Sequence, residues 1–452
     1  MDTDQVTLSR NEPLLTEAHS TFALAKGVAL SCGSGRVSWR TDGVLADHGY
    51  DVADILGCSA LDGPPRLVIH AAPHSSGGCC TASSPARTTS VTKLYCQSFH
   101  QASSAREAIL KALGRDGRRK TWLVLINPCG GGGKAPRVWA QFRNVIEPLD
   151  LSLDVQVTTH RNHAHEIAAS LTLGQYDGIM TVSGDGLIYE ILNGFMTRPD
   201  GVEAARAITL FAIPGGTGNA LFKNLCVRSG ESADLLGAAM ILAKGRSVPL
   251  DLWKYTRPTD GGDAIPFQAP GTAQADAEAG VLPAQPQGPA DENRTVAWSF
   301  LSFAWGIVSD IDIESEKLRC LGSARFLLWA LLRIVTLRRY TGTLRYLDAE
   351  SEEWKELTSE AFIGIWAANL PYMSLTDHVA PAAGFEDGIL HINVIMNATR
   401  LQVRSAAWPF RQQCLSLYLT DRVLHAATPD ILGRCFKCFW PLKRVTTLES
   451  PA

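Results

Sequence analysis

Gly184-Asp185-Gly186 is the place in this chain where residue types and spacing point to chemistry. Glycines let backbone N–H groups approach an anion closely, and a helix N-terminus favours negative charge. An aspartate between two glycines is a poor candidate for core packing and reads as exposed. Beside a phosphate it suits taking a proton from an attacking hydroxyl, or holding a metal, better than binding the phosphate itself. A lone Gly-Asp-Gly also makes ordinary turns. Two more glycine loops lift this one above a turn: Asn127-Pro128-Cys129 followed by four glycines and Lys134, and Pro214-Gly215-Gly216-Thr217-Gly218-Asn219. Neither is a Walker loop, because Ala135 and not Ser or Thr follows Lys134.

Each loop sits at the end of an apolar, strand-like run and opens a helix-like pattern: TWLVLIN before the first, GIMTVS before the second, ITLFAI before the third. Between Thr121 and about Lys244 strands alternate with helices, expected at Pro136–Ile146, Ala164–Leu173 and Ala233–Lys244. That rhythm predicts a parallel sheet with crossover helices and ligands at the carboxyl ends of its strands, where all the glycine loops fall. Thr158 to His163 ends the strand LDVQVTT and leads into the second of these helices. Arg161 there is placed to reach a nucleotide phosphate or base; the plain alternative is a solvated loop arginine. His163 and His165 read as polar helix-start residues, not metal ligands.

The flanks differ in texture. Residues 1 to about 20 read as disordered, and Thr21 to about Leu113 as short strands closed by one helix, with Gly77–Ser90 a loop. The plain reading of this part is a scaffold or docking module, the sharper one a lipid-binding module. GRDGRRK is a polar linker. Beyond Ser247 a second region begins, interrupted at 258–293 by a stretch rich in Pro, Ala, Gly and Asp that reads as a disordered insertion. TVAWSFLSFAWG reads as one strand. After it Asp310, Asp312, Glu314 and Glu316 crowd against Lys317, Arg319 and Arg325. On a helix this is a charged face laced by near-neighbour pairs such as Glu314 with Lys317. The sharper reading has acids gripping a cationic head group while Arg319 and Arg325 turn toward phosphates. Phe326 to Tyr340 reads as a packed helix, or as the wall of an acyl-chain pocket.

Composition sets the outer limits. With 452 residues, 46% hydrophobic and 19% charged, the chain has room for two or three domains with sizeable cores. A net charge of −3 gives no general pull toward nucleic acid. The polar, acidic N-terminus shows no secretory signal, and the run Phe326–Leu332 is far too short to span a bilayer. Scattered cysteines suit a reducing cytosol, and neither Cys79-Cys80 nor Cys435 with Cys438 has the partners a zinc site needs.

Together NPCGGGGKA, TTHRNHAHE, SGDGLIYEILNG, PGGTGNAL and AWGIVSDIDIESEKLRCLGSARF resemble the diacylglycerol-kinase-type lipid kinases, and among them the sphingosine kinases. The resemblance covers about Thr121 to Val394 without the insertion. It implies a two-domain kinase, a Rossmann-like α/β nucleotide domain (119–246) followed by a β-sandwich lipid domain (247–400); with the small β-rich N-terminal module (1–118) and the atypical tail (401–452) read from the residues, the expected architecture is α/β plus β. Matched residue by residue, it implies Asp185 as the base that deprotonates the primary hydroxyl of a sphingoid base. Asn127, Pro128, Cys129, Thr158, Arg161, Asn162, Glu190, Gly216, Thr217 and Gly218 match nucleotide contacts. Arg319 and Arg325 match phosphate contacts. Ser183, Gly184, Gly186 and Asp312 match substrate contacts, Asp312 at the lipid head group. ATP and Mg²⁺ are the implied cofactors, and a transient membrane surface the implied setting for a cytoplasmic protein. No metal ligand can be assigned, and protein partners are not implied.

The chain departs from the family pattern after Met396. An Asp-Gly-Glu segment expected to return to the phosphates is absent, and the last residues match no family segment. That absence favours one alternative reading, a lipid- or nucleotide-binding regulator with impaired catalysis; the other, a ceramide or diacylglycerol kinase of the same fold, has the acidic DIDIES run against it.

Overall fold

Antiparallel strands come first in the chain and a parallel sheet second. The computed structural model describes residues 20–258, 294–400, 403 and 437–439, apart from 34, 43–46, 75–86, 116–117, 217, 316, 319–323, 350 and 352. The N-terminal stretch, most of the Gly77–Ser90 loop, the 258–293 insertion beyond its first residue, Glu316, and the tail except 403 and 437–439 therefore lie outside the described residues. So do two candidate site residues, Thr217 and Arg319. The chain divides into two compact units, one ending at Arg118 and one beginning at Arg119.

In the first unit β1 (Ser20–Ala23), β2 (Val28–Cys32), β3 (Arg36–Thr41) and β4 (His48–Asp51) form one antiparallel meander. A second is made by β5 (Ile55–Leu61), β6 (Arg66–Ala71) and β7 (Ser90–Tyr95). Alternation along β6 and β7 turns Leu67, Ile69 and Leu94 inward, where they meet Leu30 and Val37 of the other sheet. Helix α1 (Phe99–Ala112) starts where Ser98 caps the Gln101 N–H, and it buries Ala102, Ala105, Ile109 and Leu110, one stripe at helical spacing. Arg106 and Arg115 donate to the carbonyls of Cys58 and Leu56, which covers the outer edge of β5.

The second unit opens with four parallel strands in the order β11-β10-β8-β9: β8 (Thr121–Ile126), β9 (Ser152–Val157), β10 (Gly178–Ser183) and β11 (Thr209–Pro214). Every residue of β10 is buried, as a central strand covered on both faces requires. The single turn α2 (Gly130–Gly133) and helices α3 (Ala135–Ile146), α4 (His163–Ser170), α5 (Asp185–Met196), α6 (Gly201–Ala207), α7 (Ala220–Ser229) and α8 (Leu235–Lys244) make the connections. Helices α4, α5 and α6 bury Ala164, Ile191, Phe195 and Ala204 against Leu123, Leu125 and Ile179. On the other face α3 stacks Phe142 on Phe211 of β11, with ring centroids 6.5 Å apart. Helix α4 ends at Ser170, three residues before the expected Leu173.

Antiparallel strands follow: β12 (Trp253–Pro258), β13 (Arg294–Ser299), β14 (Ser302–Gly306), then helices α9 (Ile307–Ser315) and α10 (Ala324–Val335), then β15 (Tyr340–Leu347), β16 (Trp354–Ala368), β17 (His391–Met396) and β18 (Lys437–Phe439). One sheet has the order β13-β12-β18; in the other the long β16 pairs with β15 along its first half and lies between β14 and β17 along its second. Trp253 and Tyr255 of β12 share a hydrophobic cluster with Phe362, Ile392 and Val394. TVAWSFLSFAWG is thus two strands in two sheets, not one. The ladder breaks at Phe300-Leu301 because Asn369 takes their carbonyls, the first with its side-chain Nδ2 at 2.8 Å and the second with its backbone N–H at 2.8 Å.

Asn369 is fully buried, donates to the Asp251 carbonyl as well, and accepts the Trp253 indole N–H. Stripped of these bonds, the buried partners would each lose about 1–3 kcal/mol. Asn369→Ala is therefore expected to lower unfolding stability by roughly 3 kcal/mol, read as a fall in the urea midpoint at unchanged slope. An unchanged midpoint would remove Asn369 from the role of tie between these strands.

Helix α10 corrects a second expectation. It is not packed by its apolar face: Leu327, Leu328, Leu331, Leu332 and Val335 are between 44% and 65% exposed, whereas Arg325 and Arg333 are buried. Periodicity reveals a stripe but not the direction it faces. Here the direction is set by α9, where Asp310 and Glu314, one turn apart, face Arg333 and Arg338. The Trp329 indole N–H also donates to Glu314, at 2.8 Å. The expected pairing of Glu314 with Lys317 is replaced by these longer-range partners, and the helix ends at Val335 so that Tyr340 can open β15.

Candidate functional site

The carboxyl ends of β8, β10 and β11 deliver the three glycine loops to one place. After β8, Asn127 bends the chain by accepting the Cys129 N–H on its Oδ1 at 3.0 Å, and Gly131, Gly132 and Gly133 follow with φ of 60°, 69° and 83°. Three successive left-handed residues are accessible only to glycine without strain. The loops then pack backbone on backbone. A Cβ on Gly131 would lie 2.5 Å from the Gly215 carbonyl oxygen, and one on Gly216 would lie 2.2 Å from the Gly184 nitrogen. Asn219, buried at the start of α7, accepts the Gly216 N–H on Oδ1 at 3.2 Å and donates from Nδ2 to the Gly216 carbonyl at 2.7 Å. The motif made Asn219 visible, yet as a helix start and not as the brace of its loop.

Asp185 is not exposed as expected. It opens α5, is half-buried, and turns its carboxylate onto the first turn of α7, accepting the Ala220 N–H on Oδ2 at 2.8 Å and the Leu221 N–H on Oδ1 at 3.0 Å. Its own N–H donates to the Gly218 carbonyl at 3.2 Å. Burial pushes the Asp185 carboxyl up from its ordinary value, against the pull of those backbone donors. Each oxygen spends one lone pair on α7 and keeps another, so a raised-pKa carboxylate remains able to accept a proton.

Ser183, buried, ends β10, and its Oγ lies 3.5 Å from Asn127 Nδ2; Gly184 and Gly186 flank Asp185. Beside this cradle, Thr158 is buried at the end of β9 and donates its N–H to the Ile126 carbonyl at 2.9 Å. Asn162 precedes α4 in the left-handed region, with φ 63°. Glu190 on α5, buried, accepts backbone N–H groups of Asn162 and Ala164 and lies in the field of Arg161 and His160. Burial outweighs these and pushes the Glu190 carboxyl up to about 7. Helix α5 therefore carries two acids, and each caps the N-terminus of a different neighbouring helix.

A carboxyl raised by folding binds a proton in the folded chain before it does in the unfolded one. Its contribution favours folding at low pH and declines as pH rises from about 4.5 through about 7. Wild type minus Glu190→Gln is expected to show that decline, a difference on the order of 3 kcal/mol between about pH 4 and about pH 8 in urea titrations. Parallel stability curves for the two proteins would contradict it.

Arg325 and Asp312 are carried by the α10–α9 pair. Arg325 is buried with its guanidinium 4.4 Å from the Phe326 ring centroid, and Asp312 is half-buried on α9. The structure brings Asn127, Pro128, Cys129, Ser183 to Gly186, Gly216 and Gly218 together, with Thr158, Arg161, Asn162 and Glu190 alongside. No group of three or more His, Cys, Asp or Glu side chains among the described residues could hold a metal ion.

Residues 121–255 match the diacylglycerol kinase catalytic domain. The chain is 30% identical to Sphingosine kinase 2 of Arabidopsis thaliana over 324 residues, which is 64% of this chain and 60% of that protein. It is 37% identical to Sphingosine kinase 2 of Homo sapiens over 239 residues, 51% of this chain and 31% of that protein. With Sphingoid long chain base kinase 4 of Schizosaccharomyces pombe it shares 32% over 218 residues, 48% of this chain and 39% of that protein. The chain thus spans about 60% of the length of the Arabidopsis relatives it matches. A crystal structure of a diacylglycerol kinase from Bacillus anthracis superposes with a TM-score of 0.45 at 15% identity, over 69% of this chain and 88% of that one. The likeness to sphingosine kinases with a diacylglycerol-kinase-type catalytic domain, read from the motifs, is met.

Proposed function

We propose that this chain is an ATP-dependent lipid kinase that phosphorylates the primary hydroxyl of sphingosine or a related sphingoid base to give the 1-phosphate. The family match and the relatives support a lipid kinase; the finer reading rests on one observation. Three glycine loops interlock around Asp185, a carboxylate raised by burial and still able to take a proton. In this reading Asp185 removes the hydroxyl proton as the oxygen attacks the γ-phosphorus in line. Backbone N–H groups of Gly131, Gly132, Thr217 and Gly218 cradle the phosphates, while Asn127, Pro128, Cys129 and Gly216 hold the loops in shape. Thr158, Arg161, Asn162 and Glu190 hold the nucleoside end, and Arg319 and Arg325 offset phosphate charge.

Mg²⁺ would neutralise phosphate charge when bound. The residues fit an ion carried mainly by the nucleotide, since no clustered carboxylates stand ready to cage one among the described residues. Ser183, Gly184 and Gly186 border the hydroxyl. Asp312 pairs with the protonated amine, a contact that ceramide, with an amide nitrogen, and diacylglycerol, with none, cannot make. The β12–β13 and β14–β17 sheets serve as the sandwich that holds the acyl chain, within a lipid domain running from 247 to 400. The outward leucines of α10 rest on the membrane from the cytoplasmic side. No helix among the described residues is long and apolar enough to cross a membrane.

A second reading, lipid or nucleotide binding without transfer, draws on the two N–H bonds that Asp185 already accepts from α7. The deciding experiment is ATP-dependent phosphate transfer to sphingosine, ceramide and diacylglycerol side by side, in detergent micelles. Transfer to sphingosine alone is expected. Equal use of diacylglycerol would overturn the assignment of substrate, and no transfer by a folded, ATP-binding protein would favour the second reading.

A further inference from the structure

Two asparagines repeat one arrangement on the two helices that frame Asp185. Asn193, on α5 two turns beyond Asp185, donates from Nδ2 to the Trp298 carbonyl at 2.9 Å and accepts the Trp298 N–H on Oδ1 at 2.9 Å. Asn224, on α7 one turn beyond Ala220, donates to the Tyr372 carbonyl at 2.8 Å and accepts the Tyr372 N–H at 3.0 Å. In both, the second amide proton goes to the carbonyl four residues back, Tyr189 or Ala220, at 2.8 Å. Both asparagines are buried. Each therefore pairs like a strand with both backbone groups of one residue of the antiparallel region.

Only a primary amide presents two donors and an acceptor in this plane. A carboxylate of the same shape would face two carbonyl oxygens, and alanine would leave a buried peptide unpaired. Trp298 lies on β13, the outer strand of its sheet, so Asn193 fills that strand's free edge. Around Asn224, Lys223 lies 5.1 Å from the Tyr372 ring centroid, and farther along α7 Arg228 lies 5.3 Å from that of Phe385. The two helices so tied are the ones Asp185 bridges: α5 carries it, and α7 receives its carboxylate.

We infer that Asn193 and Asn224 are positioning residues, a two-point clamp that fixes Asp185 and the glycine cradle relative to the region that presents the lipid. This inference rests on the kinase reading above. A base held by helices that can tilt against the acceptor loses in-line alignment, while the nucleotide, held in this reading mainly by the glycine loops and by Thr158 to Asn162 of the α/β region, keeps most of its contacts. Misplacement by about 1 Å lowers transfer about 10²-fold.

The test uses Asn193→Ala, Asn224→Ala, the double variant, milder Asn193→Ser and Asn224→Ser forms, and Asn144→Ala on the exposed face of α3 as control. Transfer to sphingosine is measured per folded molecule, with affinity for a fluorescent ATP analogue and urea stability alongside. The expected result is a fall in kcat of about 10²-fold for each Ala variant, smaller in the Ser forms, with nucleotide affinity held within about threefold. Because either point alone cannot stop the tilt, the double variant is expected to lose little more kcat than a single one, while its stability losses add. A kcat within about threefold of wild type in both Ser forms and in whichever Ala variants fold, or nucleotide affinity falling in step with kcat, overturns the clamp. Absence of transfer by the wild type overturns the kinase reading and the clamp with it, whereas transfer that the variants leave intact overturns the clamp alone.

Discussion

Asp185→Asn is expected to lower kcat for sphingosine phosphorylation by about 10²–10⁴-fold, the range that a positioned general base contributes. The substitution also turns an NH2 toward either Ala220 or Leu221, donor against donor, where the carboxylate accepts both N–H groups. Stability therefore falls as well, by about 1–3 kcal/mol. Rate per folded molecule separates the two effects. If Asp185 only caps α7, the folded fraction keeps its kcat, and a normal rate would end the base assignment. The pH profile gives a second reading of the same group. A base works deprotonated, so kcat rises with pH through a carboxyl value above the ordinary aspartate range, and that acid limb is absent from the residual activity of the Asn variant.

Gly216→Ala is expected to weaken ATP affinity by about 10- to 100-fold, since overpacking costs about 1–3 kcal/mol and 1.4 kcal/mol is tenfold. The added methyl would lie 2.2 Å from the Gly184 nitrogen and 2.3 Å from its Cα, and neither is the end of a flexible side chain. Two loops must separate to admit it. Gly218→Ala is the built-in contrast: its methyl would meet nothing nearer than an Asp185 carboxylate oxygen at 3.6 Å, an ordinary contact. Isothermal titration of ATP into both variants checks the pair. Equal losses would mean that the loops do not interlock in solution, and that glycine at these positions serves flexibility instead.

The cradle was legible because its signal is local. An apolar run, a glycine cluster and a helical pattern within some fifteen residues announce a strand, a loop and a helix start, and three such units imply strands ending side by side. The partners of the acids were not legible. Asp185 finds its donors 35 and 36 residues downstream, and Glu314 finds Arg333 19 residues away on the next helix. Both arrangements reverse a local expectation, making a loop aspartate half-buried and turning a leucine-rich face outward. TVAWSFLSFAWG failed for a related reason: apolar composition marks extended chain, whereas the break at Phe300-Leu301 is made by Asn369. Asn193 and Asn224 were equally silent, since nothing in a helix sequence distinguishes a buried amide that pairs with a strand from one that faces water.

Backbone packed directly on backbone leaves the cradle without side chains through which it can adjust. In most cores a larger residue on one side can be matched by a smaller one opposite. Gly131 against Gly215, Gly184 against Gly218 and Gly216 against Gly184 have nothing left to shrink. A substitution in one loop has no single compensating change in another, so the three loops form one unit of inheritance. If the loops hold a nucleotide as proposed, a new nucleotide preference is expected to arise at their rim, at positions such as Cys129, whose exposed side chain can change without moving the loops.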